Sequence, residues 1–273
     1  MVLGLLTAAA FCHAGWNLLM KTSGEQGPQF VWLCAAIAAP LSVVVLVWYF
    51  VRGELGVTWQ AALVSMLLHT AYSVVLQWAY KTGDFSGVYS VSRGATPVIV
   101  TLAAIPWIGG PSLQVWCGVA AVLFGVLVMD RVAPGRGSLK GLAVAACSAG
   151  YTLWDGYAIA SLGAQTLPYL AVTNVGQLAV LTLVLAPRRR LTRAVFASWR
   201  RAIPIALLTP ASYGLVLVAM SLSPVSTVAV GRTLNVAIGN LLGLAVLRER
   251  LTRTAVVGLT AVVAGVLLVS IGA

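Results

Sequence analysis

Two arginines lie in the middle of segments that are apolar enough to cross a lipid bilayer. Arg93 lies within residues 85–105, and Arg232 lies at a matching depth within residues 224–246. An arginine at the centre of a spanning helix costs about 2.5–3.5 kcal/mol on insertion scales. Two guanidiniums can grip a carboxylate, phosphate or phosphonate in bidentate fashion. The pair therefore predicts a site for an anionic group. The alternative is that each arginine is a structural partner of Asp155, a backbone carbonyl or an aromatic ring.

Asp155 is the only carboxylate well inside a predicted span. It can bind a proton or a cationic substrate group, or it can form a fixed ion pair with Arg93 or Arg232. The sequence leaves these alternatives open. Because two buried arginines outnumber one buried acid, the charge balance favours an anionic or zwitterionic substrate.

Other polar and aromatic side chains recur at steps of three and four residues, so they share helical faces. His13, Trp16 and Asn17 form such a face in the first span, and His13 is a candidate carrier of a coupling proton because the reference pKa of histidine is about 6.5. The alternative role for each single residue is hydrogen bonding between helices. The predicted substrate-binding residues are Arg93, Arg232, Asp155, His13, Trp16, Asn17, Tyr89, Tyr151, Trp154, Asn235, Gln77 and Tyr213.

The sequence contains no pattern typical of a catalytic or metal site. It has no H-E-x-x-H, no G-x-S-x-G, no phosphate-binding loop and no second buried carboxylate, and its four cysteines share no ligand spacing. We therefore predict that the protein is not an enzyme, binds no metal and needs no cofactor.

The composition predicts helices that span a membrane. Of 273 residues, 60% are hydrophobic and 8% are charged, whereas soluble domains contain about 25% charged residues. Ten apolar stretches have the length that a hydrocarbon core of about 30 Å requires. We expect an all-α polytopic membrane protein with spans at residues 2–20, 28–51, 58–80, 85–106, 112–129, 139–161, 167–186, 201–220, 224–246 and 252–271.

The two halves of the chain resemble each other. Arg93 and Arg232 are 139 residues apart, and Trp16 aligns on Trp154 at an offset of 138. Five spans in each half would invert the second copy relative to the first, as in many secondary transporters. We predict two inverted five-helix repeats, at residues 1–130 and 138–273, with a linker at 131–137. One chain can then supply both sides of a site, so a functional monomer is plausible.

The distribution of lysine and arginine predicts the orientation. The odd-numbered loops carry nearly all of these residues, and the even-numbered loops carry only Arg52. By the positive-inside rule the odd loops are cytoplasmic and both termini face outward. The net charge of +11 is then explained by topology, with the lipid bilayer as partner and no nucleic acid.

The end of the second half is similar to ten-helix, EamA-type members of the drug/metabolite transporter superfamily. The resemblance rests on "SLSPVSTVAVGRTLNVAIGNLLGLAVLRERLT" and the glycine-rich segment after it, in which Pro224, Glu249, Leu251 and Thr252 match the family pattern. The first half has "WIGGPS" at the corresponding place and no counterpart of Glu249. The opening "HAGWNLLMK" is similar to a bacterial branch of the family.

This resemblance implies alternating access by a small secondary transporter, often an exporter, in a bacterial-type cytoplasmic membrane. We therefore expect a transporter of a small polar metabolite that is anionic or zwitterionic. Two alternatives are a proton-coupled exporter of cationic drugs that uses Asp155, and a lipid-moving membrane protein.

Overall fold

The computed structural model describes residues 1–23, 27–82, 85–129, 136–187, 191, 193–247 and 252–272. Every regular element in this part of the chain is a helix, as its long apolar stretches predict. The helices are α1 Val2–Ser23, α2 Pro28–Val51, α3 Thr58–Thr82, α4 Phe85–Ile108, α5 Leu113–Met129, α6 Arg136–Ala160, α7 Thr166–Leu185, α8 Arg193–Ala197, α9 Trp199–Met220, α10 Val225–Gly231, α11 Leu234–Leu247 and α12 Arg253–Gly272.

Eight segments of the described chain are long and apolar enough to cross a membrane. They correspond to eight of the ten predicted spans, which confirms a polytopic α-helical membrane protein. The fifth predicted span corresponds to α5, an apolar helix of 17 residues, and the sixth to α6, which has 25. The exact number of spans, the inverted repeat and its boundaries stay predictions.

The ninth predicted span is not one continuous helix. It consists of α10 and α11, which meet at Arg232 and Thr233. There the N–H groups of Asn235 and Val236 donate to the carbonyls of Arg232 and Thr233, at 3.2 and 2.9 Å, so the chain makes three-residue turns in place of four-residue ones. The predicted span is present as one apolar segment, Val225–Leu242, and hydropathy does not detect the change in helical pitch within it.

Glycines let α5 and α12 approach closely. Gly118 and Gly125 of α5 face Gly265 and Gly258 of α12, and a Cβ atom built on Gly125 would lie 2.6 Å from the Gly258 carbonyl oxygen. Contacts this short require backbones that carry no side chain, as in other tightly packed membrane helices. Away from this pair, α4 packs on α6, α1 on α9 and α11, and α2 on α7. The space between α4, α6 and the α10–α11 break contains the candidate site.

Candidate substrate-binding site

A pocket opens between four parts of the bundle. Helix α3 contributes one residue to its lining, α4 and α6 contribute most of the rest, and the break between α10 and α11 closes the remaining side. The lining residues are Tyr72, Ser92, Arg93, Thr96, Pro97, Ser148, Tyr151, Thr152, Ala229, Arg232, Thr233 and Asn235. Both arginines predicted from the sequence thus reach the same cavity, and no carboxylate is among these lining residues.

Arg232 is held in place by α6. Its guanidinium donates to the Thr152 hydroxyl at 3.0 Å and to the Tyr151 hydroxyl at 3.2 Å, and it lies 5.6 Å from the centre of the Tyr151 ring. Because Arg232 forms the junction of α10 and α11, these bonds tie the broken ninth span to α6. Of the structural partners considered for Arg232, the structure shows the aromatic ring. It adds hydrogen bonds to two hydroxyls.

Arg93 has a different environment. Its guanidinium lies 5.5 Å from the centre of the Tyr89 ring, a cation–π distance. Among the described residues it has neither a carboxylate nor a hydrogen-bond partner. Tyr72 and Tyr151 lie near it in the same pocket. Arg93 therefore presents its donors to the pocket, with the predicted residue Tyr89 packed behind it.

Asp155 is not an ion-pair partner of either arginine in this structure. The carboxylate is fully buried and accepts hydrogen bonds from the Tyr169 hydroxyl, at 2.6 Å, and from the Tyr213 hydroxyl. These tyrosines lie on α7 and α9, so one carboxylate on α6 joins three helices. Asp155 and Tyr213 are not among the lining residues of the pocket, although both were predicted to bind substrate.

His13, Trp16 and Asn17, which were predicted to share one face of α1, contact different neighbours. His13 lies within electrostatic range of Arg93 and Arg232, and its ring packs edge-on against Trp16 at 5.0 Å. Trp16 packs further against a cluster that contains Phe30 of α2. The exposed Asn17 amide donates to the carbonyl of His13 in its own helix, at 2.8 Å. None of the α1 side chains is among the lining residues.

The remaining predicted residues also separate. Tyr151 and Asn235 line the pocket. Trp154 lies about one helical turn after Tyr151 in α6 and does not line the pocket. Its indole N–H donates to the Ala61 carbonyl of α3 at 2.9 Å. The Gln77 side chain lies outside the described residues, and so do Glu249 and Leu251 of the family pattern. Their predicted roles stay untested.

The structure adds residues that the sequence did not single out as binding residues. Tyr72 lines the pocket and packs edge-on against Tyr151 at 5.3 Å. His69 stacks on the other side of that ring at 4.0 Å, and one of its ring nitrogens lies 2.9 Å from the Ser65 carbonyl oxygen. His69 and Tyr72 are three residues apart in the third predicted span, so their shared helical face could have predicted that they lie together. Tyr169 had no signal, because only the tertiary fold brings it to Asp155.

Comparison with known proteins gives a family for the second half of the chain and a solved structure with a similar fold. The model of the EamA-like transporter family matches residues 135–271. A protein of known crystal structure has a similar fold, with a TM-score of 0.78 over 99% of this chain and 96% of that chain at 14% sequence identity. Comparison with curated proteins finds no significant match.

Proposed function

Because this chain belongs to the EamA-like transporter family of the drug/metabolite transporter superfamily, and is thus a multi-pass membrane transporter, we propose that it moves a small anionic or zwitterionic metabolite by alternating access. The observation that carries the proposal is the pocket that contains Arg93 and Arg232 and no lining carboxylate. Desolvated guanidiniums bind oxyanions more strongly than exposed ones do. A ligand that supplies the missing negative charge is the natural occupant of such a cavity.

The position of the pocket suits alternating access. It lies beside a discontinuous helix, a feature that transporters use to place backbone and side-chain groups at the middle of the membrane. Arg93 on α4 and Arg232 at the α10–α11 break come from the two halves of the chain. A relative movement of the halves would change the distance between the two charges, and a ligand between them would favour the closed arrangement.

The other parts of the proposal rest on the sequence. Loop charges favour an orientation with both termini outside, and the resemblance to the family implies a bacterial-type cytoplasmic membrane and often export. His13, near both arginines, is the candidate for proton coupling. Transporters of this family are generally not enzymes, and we propose no catalytic activity for the chain.

Export of cationic drugs through Asp155 is the alternative that the geometry supports less. Both oxygens of the Asp155 carboxylate accept hydrogen bonds from tyrosine hydroxyls. The side chain is fully buried and does not line the pocket. A cationic ligand would have to break these bonds and approach two arginines. The second alternative, a lipid-moving membrane protein, is not favoured by any contact among the described residues.

The test is ligand-dependent stabilisation of the purified protein, followed by uptake into proteoliposomes. A ligand at 100 times its Kd stabilises the folded state by about 2.7 kcal/mol. We expect organic anions or zwitterions to raise the melting temperature, and Arg93→Gln to abolish that effect. Arg52→Gln is the matched control, because Arg52 pairs with Glu54 on the surface at 2.9 Å. Equal stabilisation of Arg93→Gln and the unmodified protein would contradict the proposal, and so would stabilisation by cations alone.

A further inference from the structure

The hydrogen bonds of the pocket constrain its ligand more closely than the presence of two arginines does. Arg232 donates to the hydroxyls of Tyr151 and Thr152, and Ser148 donates to the Tyr151 hydroxyl at 3.1 Å. Each hydroxyl oxygen is thereby used as an acceptor, so its own hydrogen must point elsewhere. No acceptor for either hydrogen is seen among the described residues. Arg232 thus orients two neutral hydroxyls as donors.

Arg93 adds further donors, because its guanidinium has no hydrogen-bond partner among the described residues. The Asn235 amide in the same cavity offers both a donor and an acceptor. The hydroxyls of Thr96 and Thr233 already donate to backbone carbonyls of their own segments, at 2.7 and 2.6 Å. The donors without an acceptor are therefore concentrated around the two arginines. A ligand with several acceptor atoms complements such a site.

The positive charge of the cavity also favours a ligand rich in acceptor atoms, because such a ligand can carry negative charge. Arg93 and Arg232 line the same pocket, and the positive charge of Arg93 acts on Arg232. Asp155 uses both of its oxygens on Tyr169 and Tyr213, so it does not pair with these cations. Two like charges in a desolvated cavity are stabilised best by two opposite ones.

From these observations we infer that the pocket binds a small dianion, that Arg93 pairs with it directly, and that Arg232 acts partly by orienting the hydroxyls of Tyr151 and Thr152. The inference rests on the proposed transport of polar metabolites and narrows their class from anionic or zwitterionic to doubly negative. Both charges can lie on one phosphoryl group or on two carboxylates. Monoanions and zwitterions leave one guanidinium unpaired and are weak ligands.

Binding is measured by isothermal titration and thermal shift with five probes on the full chain in detergent. The probes are methyl phosphate, succinate, lactate, glycine and choline. We expect at least one of the two dianions to bind at least tenfold more tightly than lactate or glycine, and choline not to bind. Which of the two dianions binds more tightly identifies the source of the two charges.

Variants separate the roles of the residues. Arg93→Gln should weaken dianion binding about tenfold to a hundredfold, as expected for loss of a hydrogen-bonded charge. Tyr151→Phe keeps the ring against His69 and removes one oriented hydroxyl. It should weaken binding about fivefold and preserve the preference for dianions. Arg52→Gln should leave every dissociation constant unchanged.

A pH series tests the charge of the ligand itself. The second ionisation of a phosphate monoester has a pKa of about 6, so the dianion falls about tenfold between pH 7 and pH 5. Methyl phosphate should bind about tenfold more weakly at pH 5, whereas sulfate, which stays doubly charged, should bind equally at both. The titratable groups within electrostatic range of the two arginines are His13, His69, Tyr72, Tyr80, Tyr89, Tyr151 and Tyr213. If sulfate and methyl phosphate change in parallel, one of these protein groups titrates and the inference is wrong.

The outcomes distinguish this inference from the proposed function. If lactate or glycine binds as tightly as the dianions and Arg93→Gln still abolishes binding, the pocket is an anion or zwitterion site and only the dianion inference fails. If no probe binds, or if Arg93→Gln has no effect on any of them, the proposed function fails with it.

Discussion

The bonding of Asp155 predicts that Tyr213→Phe destabilises the folded protein without weakening substrate binding. The substitution removes one of two hydroxyls that donate to a fully buried carboxylate and changes the shape of the core very little. A hydrogen bond to a charged group contributes about 1.5–3 kcal/mol, and no arginine among the described residues forms an ion pair with the carboxylate. We therefore expect the free energy of unfolding to fall by about 2–3 kcal/mol.

The measurement is reversible unfolding in mixed micelles, combined with a double-mutant cycle. In an Asp155→Asn background the acceptor is neutral, so Tyr213→Phe should cost about 1–2 kcal/mol less than it does alone. Tyr157→Phe is the matched control. The Tyr157 side chain is 50% exposed, so the variant should stay within about 0.5 kcal/mol of the unmodified protein.

One pattern of results would refute this reasoning. If Tyr213→Phe leaves stability unchanged while Asp155→Asn abolishes transport by a stable protein, then Asp155 acts on the substrate and the joining of three helices is incidental. That result would favour the cationic-drug alternative. Additive effects in the double-mutant cycle would show that the hydroxyl and the carboxylate do not interact.

Four further substitutions test the packing and the limits of the site. Gly125→Ala should destabilise the folded state by about 1–3 kcal/mol in the same unfolding assay, because its Cβ would lie 2.6 Å from a backbone oxygen of α12. Gly239→Ala, where the Cβ meets nothing within 4 Å, should be neutral or slightly stabilising, and equal losses would contradict the close-approach argument. Trp154→Phe removes the bond between its indole and the Ala61 carbonyl and should lower the melting temperature by an amount equivalent to about 1 kcal/mol, with ligand affinity unchanged. Asn17→Ala should leave both the dissociation constant and uptake within about twofold of the unmodified protein, since its amide bonds to its own helix; a larger loss would place Asn17 on the substrate path.

The sequence by itself determined the class of the protein and the residues at its centre. Apolar length and low charge are local properties, and comparison with the thickness of a bilayer is enough to predict membrane helices from them. The unusual cost of Arg93 and Arg232 in such helices marked both as site residues, and both line the pocket. Tyr151 and Asn235 were found by their helical spacing from Asp155 and Arg232.

Only the tertiary structure decided which polar groups meet. Asp155 bonds to Tyr169 and Tyr213, which are 14 and 58 residues away along the chain, and helical periodicity relates only residues of one helix. The sequence therefore left open whether Asp155 pairs with an arginine, and the rotation and packing of α6, α7 and α9 excluded that pairing in this structure. The bonds of Arg232 to α6 have the same origin, because they depend on the position of another helix.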